Sequence, residues 1–220
     1  SSDLQLAEIT RNLSRTTRAG MIAQRYHSLY PKKDLNLFSK EELRARFDSA
    51  NIAVFYSHDQ KIAGEMISLY NTLHAKGAEK PEDLFTVAGA QIISRNFDRF
   101  DEISGSESLP KEFHIPAIED QISNESIKWQ ILSPFPNKLV RENFPIDKGA
   151  YVIIVSNPLC GFSIAASKAI QSDGDLSNFL SKHGLWLVPP ARRLYNNEAV
   201  AWNASHPSQK MVLAYKNESW

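Results

Sequence analysis

Apolar side chains recur every three to four positions through roughly the first hundred residues, which is typical of amphipathic helices. The pattern predicts helices over residues 3–30, 39–57, 58–77 and 81–103. Short polar turns separate them, so neighbouring helices are expected to pack against each other. We therefore predict an all-α domain over residues 1–105, either a helical bundle or an array of helical hairpins.

Local signals mark where these helices begin and end. Ser39 and Glu42 have the spacing of a capping box, in which each side chain accepts a hydrogen bond from the backbone of the other. Asp59 is predicted to start the next helix and Gly77 to end it. The histidines among these helices lack carboxylates at metal-ligand spacing, so no metal site is predicted there.

After the helical segment the periodicity is lost. Ser, Gly, Glu and Pro in close succession predict a linker over residues 106–127. A weak alternation at residues 127–132 predicts a first strand, followed by a proline-broken loop over residues 133–136. Residues 138–147 fit either a short helix or an extended arm. A second domain is thus expected over residues 128–220.

The second domain is predicted to alternate strands and helices. Residues 151–155 form a continuous apolar run rich in β-branched side chains, as expected for a central strand covered on both faces. Residues 185–188 are its predicted parallel partner, joined to it by a right-handed crossover. A helix over residues 191–203 and a strand over residues 210–215 complete the order. Together these features predict an α/β fold behind the all-α domain.

The composition limits the classes of function. Lys and Arg number 25, as do Asp and Glu, so no net charge favours nucleic acid or an anionic membrane as a partner. No apolar run approaches the roughly 20 residues needed to span a bilayer. A hydrophobic content of 42% with 23% charged residues is typical of a globular protein with a buried core.

The single cysteine, Cys160, lies where the predicted central strand gives way to a helix. A helix N-terminus presents unpaired N–H groups and the positive end of the helix dipole, which favour a thiolate over a thiol. We therefore interpret Cys160 as a reactive thiol, the alternative being an inert buried one. A lone cysteine also excludes an internal disulfide and a multi-cysteine zinc site.

Strand, proline turn, Cys-x-x-Ser and helix in this order resemble the active-site turn of the thioredoxin superfamily. The tetrad Cys160-Gly161-Phe162-Ser163 is the same as that of the monothiol glutaredoxins. The superfamily also has a cis-proline before a strand downstream of the cysteine, and Pro207 lies 47 residues after Cys160 (207 − 160). The resemblance covers roughly residues 130–220. It implies a thioredoxin-like α/β sandwich in which the His206–Pro207 bond is cis and lies close to Cys160.

The resemblance also implies the roles of the site residues. The catalytic residues would be Cys160, Ser163 and Pro207, and the substrate-binding residues Gly161, Phe162 and His206. Ser163 would donate a hydrogen bond to the thiolate and Pro207 would position an extended substrate, while His206 is either a proton donor or simply solvated. Val152 stands where the monothiol glutaredoxins have a lysine. Glutathione and iron–sulfur binding are therefore not carried over, and no cofactor is expected.

Two functions are consistent with these residues. The first is a thiol-disulfide oxidoreductase, in which Cys160 attacks a disulfide and an external thiol resolves the product because Ser163 cannot. Its substrate would be a protein or a low-molecular-weight thiol or disulfide. The second is a non-catalytic thioredoxin-fold adaptor, with a protein partner bound through the N-terminal helices. A periplasmic or secreted location is favoured over a cytoplasmic one, because periplasmic thiol reductases often begin with an extra strand.

Overall fold

The structure is a computed structural model that describes residues 13–104, 109–110, 113–122, 129–144 and 151–216. The chain divides into two compact units. The first, the helical unit, contains the chain up to His114 together with Ala191–Arg193. The second, the sheet unit, contains most of the rest. The protein is therefore of mixed α/β class, with helices preceding the sheet in the chain.

The helical unit follows the predicted periodicity closely. Its helices are α1 Arg15–Leu29, α2 Lys40–Ser57, α3 Gln60–Ala75, α4 Asp83–Ile93 and α5 Phe97–Ser104. Gly77 follows α3 with a φ of 59°, the left-handed conformation expected of a helix terminator. The apolar faces form the core, whose fully buried members include Leu43, Phe47, Ile62, Met66 and Leu69. The predicted helical start at residue 3 lies outside the described residues.

Side chains cap α2 and α3 as the sequence predicts. Ser39 Oγ accepts a hydrogen bond from the Glu42 N–H (3.2 Å), and the Ser39 N–H donates to Glu42 Oε2 (2.8 Å). Asp59 Oδ1 accepts hydrogen bonds from the N–H groups of Lys61 and Ile62 (2.8 and 2.9 Å). Oxygen acceptors therefore meet first-turn N–H groups at both helix starts.

The prediction of one continuous helix over residues 81–103 is wrong, because the structure divides it into α4 and α5. Arg95 lies between them with a φ of 58°. Ser94 Oγ donates to a carbonyl one turn back, and the Asn96 N–H donates to the Gln91 carbonyl (2.9 Å). Serine and asparagine offer the backbone such local alternatives to helical bonding, and a left-handed residue then ends the helix.

Ion pairs with low exposure tie the helices together. Arg44 makes a bidentate contact with Asp83 (2.8 and 2.7 Å), and Arg46 Nε donates to Glu65 Oε1 (2.7 Å). Burial is the largest single effect on the Asp83 carboxylate and disfavours it, but the hydrogen bonds from Arg44 and the Lys80 backbone and the charge of Arg44 together outweigh burial and lower the pKa of Asp83. The Tyr26 hydroxyl also donates to Glu65 (2.9 Å). Because these charges compensate each other, their role is to hold the helices in place.

The sheet unit contains one mixed sheet with the strand order β1-β3-β2-β6-β5-β4. Its elements are β1 Ala117–Asp120, β2 Gln130–Phe135, β3 Lys138–Asn143, β4 Val152–Val155, α6 Gly161–Ser172, α7 Gly174–His183, β5 Gly184–Val188, α8 Asn196–Ser205 and β6 Met211–Lys216. Strands β4, β5 and β6 are parallel neighbours, while β2 pairs antiparallel with both β3 and β6. The predicted parallel pairing of residues 151–155 with residues 185–188 is confirmed. Strand β1 lies within the segment interpreted as the linker.

The expectation that residues 151–155 form a central strand is wrong. Strand β4 is last in the sheet order and, among the described residues, pairs with β5 alone. Val152 and Val155 are 40% and 67% exposed. The doubly covered strand is β5, in which Trp186 and Leu187 are buried. A short apolar run indicates a strand, but the position of that strand depends on partners that are remote in sequence.

Two further predictions in this unit need correction. The proline-broken loop over residues 133–136 is wrong, because Pro134 lies within β2 opposite Leu139 of β3. Pairing of β2 with β6 extends only from Gln130 to Leu132, so Pro134 is tolerated where its missing N–H faces no neighbour on that side. The extended alternative for residues 138–147 is the correct one over β3.

The predicted helix over residues 191–203 begins later, at Asn196. The preceding segment Ala191–Arg193 belongs to the helical unit instead, where the Arg192 guanidinium lies 5.5 Å from the centre of the Phe55 ring. Arg192 lies in the stretch that the sequence pattern assigned to the start of α8. Because it contacts a residue remote in sequence instead, the pattern alone placed the start of α8 too early.

Candidate active site at Cys160

The turn between β4 and α6 places Cys160 at a helix N-terminus, as predicted. The Ser156 N–H still donates to the Leu187 carbonyl of β5 (2.9 Å). Asn157 then shapes the turn, because its Oδ1 accepts from the Leu159 N–H (2.9 Å) and its carbonyl accepts from the Cys160 N–H (3.0 Å). Cys160 occupies the N-cap position of α6 with an extended backbone. We refer to residues 156–163 as the thiol turn.

The sulfur of Cys160 takes the position in which a capping oxygen usually stands. Its side chain is a partly exposed free thiol that makes no side-chain capping hydrogen bond. The backbone N–H groups of Ser163 and then Phe162 nevertheless stabilise the thiolate and, with a smaller contribution from the Ser163 hydroxyl, lower the pKa of Cys160. Burial acts in the opposite direction and is outweighed. The local electrostatics therefore favour the nucleophilic form.

Ser163 is buried, and its hydroxyl forms hydrogen bonds within the protein. Its Oγ accepts hydrogen bonds from Ser156 Oγ (2.7 Å) and from the Asn157 N–H (3.3 Å). Ser163 and Ser156 are both buried. Because Ser163 carries no thiol, it cannot resolve a mixed disulfide at Cys160. What it supplies is a buried hydroxyl in the first turn of α6, fixed by these two hydrogen bonds.

The approach to the thiol is open and apolar. A Cβ added at Gly161 would meet no atom within 4 Å. Phe162 is 87% exposed, and Leu159 and Val155 are also exposed. The whole segment from Tyr151 to Ser167 contains no Asp, Glu, Lys or Arg. An incoming group would therefore meet no charged side chain from this segment.

The expectation of a cis bond at Pro207 is wrong, because no peptide bond among the described residues is cis. The turn that contains Pro207 is anchored to α6 through Gln209, whose side chain accepts from Ser167 Oγ. Ser167 lies two helical turns after Cys160, about 10 Å along the helix axis. Among the hydrogen bonds of the described residues, none joins Pro207 to Cys160. The closeness of the Pro207 turn to the thiol therefore stays a prediction.

His206 is held by α8. Its ring stacks on Trp202 with the ring centres 4.0 Å apart and the planes at 12°. Its Nδ1 lies 2.8 Å from Ser205 Oγ and 3.1 Å from the Trp202 carbonyl. These contacts hold the His206 ring in place, and none of them involves Cys160. The structure therefore gathers Cys160, Gly161, Phe162 and Ser163 in one turn, but no hydrogen bond or ring contact among the described residues links His206 to them.

Sequence reasoning did not identify the parts that Ser156 and Asn157 play in the thiol turn. A signal was present for Asn157, since asparagine before proline is typical of a turn in which the side chain binds the backbone two residues on. No local signal identifies Ser156. Its partner Ser163 lies across the turn, and only the fold brings the two hydroxyls together.

Comparison with family models, with curated proteins and with solved structures gives no match for this chain. Within the described ranges, no helix combines the length and the apolar character needed to cross a membrane. Searching the same residues for three or more His, Cys, Asp or Glu side chains grouped to hold a metal ion finds none. The thiol turn is therefore the feature of the molecule that indicates a function.

Proposed function

We propose that the protein catalyses thiol-disulfide exchange by a monothiol route through Cys160. The observation that carries this proposal is a partly exposed thiol at the N-cap of α6, where backbone N–H groups lower its pKa. A lowered pKa increases the fraction of thiolate at neutral pH, and the thiolate is the species that attacks a disulfide.

The reaction balances with low-molecular-weight thiols as the reductant. The Cys160 thiolate attacks one sulfur of the substrate disulfide, forms a mixed disulfide and releases the other sulfur as a thiolate. An external thiolate then attacks the mixed disulfide at Cys160, which frees the second substrate thiol and leaves Cys160 joined to the external thiol. A second external thiol regenerates Cys160, so two external thiols are oxidised for each disulfide reduced.

A disulfide in an uncharged, apolar protein segment is the substrate that the surroundings support best. The thiol turn offers the exposed side chains of Leu159 and Phe162 and no charged side chain. Apolar contacts of this kind favour an apolar peptide over a small charged disulfide. A thioredoxin-like arrangement is supported only by the β4–α6–α7–β5 unit with the cysteine at its turn, and not by the trans Pro207 or by the edge position of β4.

The adaptor function is the second candidate, and the surface of α2 favours it. Ile52, Phe55 and Tyr56 are exposed near the end of this helix, with the rings of Phe55 and Tyr56 in edge contact 5.0 Å apart. Grouped exposed apolar side chains are typical of surfaces that bind a protein partner. In this alternative Cys160 has no chemical role, so the reactivity of the thiol separates the two functions.

The deciding experiment is the pH profile of Cys160 alkylation, with reduction of a protein disulfide measured alongside. Because the chain has one cysteine, alkylation reports this thiol alone. We expect a pKa clearly below the value of about 8.5 for free cysteine, and we expect the denatured chain, which serves as the internal control, to return to that value. A folded-state pKa at or above 8.5 together with no disulfide reduction would reject the proposal in favour of the adaptor.

A further inference from the structure

Ser156 is a buried hydroxyl at the end of β4, only 7% exposed. Its Oγ donates to Ser163 Oγ at 2.7 Å, and Ser163 is itself 8% exposed. The bond therefore joins the first residue of the thiol turn to its last, which lies in the first turn of α6. Buried hydroxyls in folded proteins are hydrogen-bonded, and the direction of each bond fixes what the partner can still do.

Counting donors and acceptors at Ser163 shows what remains available. A serine hydroxyl has one hydrogen to donate and two lone pairs to accept. The Ser163 oxygen already accepts from Ser156 Oγ and from the Asn157 N–H. Its own hydrogen is given to no acceptor in the hydrogen bonds of the described residues, the sulfur of Cys160 included. Cys160 is the N-cap of α6 and Ser163 is the third residue of the same helix, so the sulfur belongs to the turn that this hydroxyl faces.

We propose that Ser156 is a positioning residue for the Cys160 thiolate: by donating to Ser163 Oγ, it orients the Ser163 hydroxyl so that the hydrogen of that hydroxyl can turn to the sulfur when the thiolate forms. Hydrogen bonds in such a chain polarise one another, so Ser156 strengthens the donor that follows it. The inference rests on the proposed function, because it names the group that tunes the nucleophile of that reaction. The contribution of the Ser163 hydroxyl to the lowered pKa of Cys160 agrees with it.

A purely structural role for Ser156 would be to fasten the thiol turn to α6. Ser167 provides the matched control for that role. It is a buried serine one turn beyond Ser163 on α6, and its hydroxyl also bonds to another side chain, that of Gln209. Removing either hydroxyl is expected to affect packing and stability in a similar way, but of the two serines only Ser156 is bonded to a residue of the first turn of α6.

The test is a titration of the thiol in the full chain by the pH dependence of its alkylation rate. Ser156→Ala is expected to raise the thiol pKa by about half a unit, which reduces the thiolate near neutral pH about threefold. Ser163→Ala is expected to raise the pKa at least as much. Ser167→Ala is expected to leave it unchanged. An unchanged pKa in Ser156→Ala, with the wild-type value lowered, would overturn the inference.

The double variant tests whether Ser156 acts through Ser163. If it does, Ser156→Ala adds nothing to the shift already produced by Ser163→Ala, so the double variant has the thiol pKa of the single Ser163 variant. Shifts that add in the double variant would overturn the inference, because Ser156 would then act on the sulfur by a separate route.

A second pair of variants keeps the inference testable if Ser156→Ala does not fold. Threonine and valine have nearly the same shape but differ in the hydroxyl, so Ser156→Thr is expected to keep the lowered pKa and Ser156→Val to lose part of it. Equal pKa values in this pair would overturn the inference. A wild-type pKa equal to that of free cysteine would overturn both the inference and the proposed function, whereas a lowered wild-type value that Ser156 does not affect leaves the proposed function standing.

Discussion

Helices in both units begin with first-turn N–H groups that lack a partner within the helix, but these groups serve different purposes in the two units. In the helical unit Ser14, Ser39 and Asp59 supply oxygen acceptors at the starts of α1, α2 and α3. At the start of α6 Cys160 makes no such bond, and the first-turn N–H groups lower the pKa of its thiol instead. An N-cap residue can therefore stabilise a helix or activate a side chain, and the choice of oxygen or sulfur at one position decides between them.

The strongest test of this comparison replaces the sulfur by an oxygen. Cys160→Ser is expected to abolish disulfide exchange completely, because a serine hydroxyl stays protonated near neutral pH. The same change introduces a favoured N-cap, so the free energy of unfolding is expected to stay the same or to rise by up to about 1 kcal/mol. Disulfide reduction and urea denaturation measure the two effects. A marked loss of stability would mean that the sulfur is a packing group rather than a poor cap.

The helical unit is expected to respond to acid through a histidine rather than a thiol. His58 joins α2 and α3 in the left-handed conformation, and burial, with the charges of Arg15 and Arg95, lowers its pKa from 6.5 to about 4. The unfolded chain therefore binds the proton more readily. The stability contributed by neutral His58 is fully present above pH 6.5 and is lost as the pH falls towards about 4.

The loss of stability is expected to be on the order of 1–2 kcal/mol, less than the full shift would give because the ring is partly exposed to solvent. Thermal or urea unfolding between pH 7 and pH 4 measures it. His58→Asn is the control, since asparagine tolerates the left-handed conformation but does not titrate in this range. If the two proteins lose the same stability over this interval, His58 is not the group responsible.

The smallest expected effect belongs to an ordinary oxygen cap. Ser39→Ala removes the acceptor of the capping box and is expected to lower the free energy of unfolding by about 1 kcal/mol, while the thiol pKa stays unchanged. Ser68→Ala, at an exposed position inside α3, is the matched control and is expected to change stability by less than about 0.5 kcal/mol. Equal effects of the two substitutions in a urea titration would contradict the capping role.

The features predicted correctly are those that a few neighbouring residues encode. Ser39 with Glu42, Asp59 and Gly77 act within one helical turn of where they stand, and so does Cys160 at the start of α6. Each needs only its own helix to exist. This is why the helical unit and the position of the thiol follow from the sequence.

Most features predicted wrongly depend on partners far along the chain, the break at Arg95 beside Ser94 and Asn96 being a local exception. Strand β4 has the apolar run of a buried strand, yet the order of the sheet places it at the edge. Pro134 lies in a strand because the pairing with β6 stops before it. The bond between Ser156 and Ser163 likewise exists only after the strand and the helix have packed. No window of sequence contains that information.

The tryptophans are distributed unevenly along the chain, so fluorescence can distinguish the two units. Three of the four tryptophans, Trp129, Trp186 and Trp202, lie in the sheet unit, where Trp186 and Trp202 are buried with ring centres 5.6 Å apart. Indole emission is therefore weighted towards the unit that carries the thiol, whereas far-ultraviolet ellipticity is weighted towards the helices of the other unit. Following both signals in one denaturant series shows directly whether the two units melt together or one before the other.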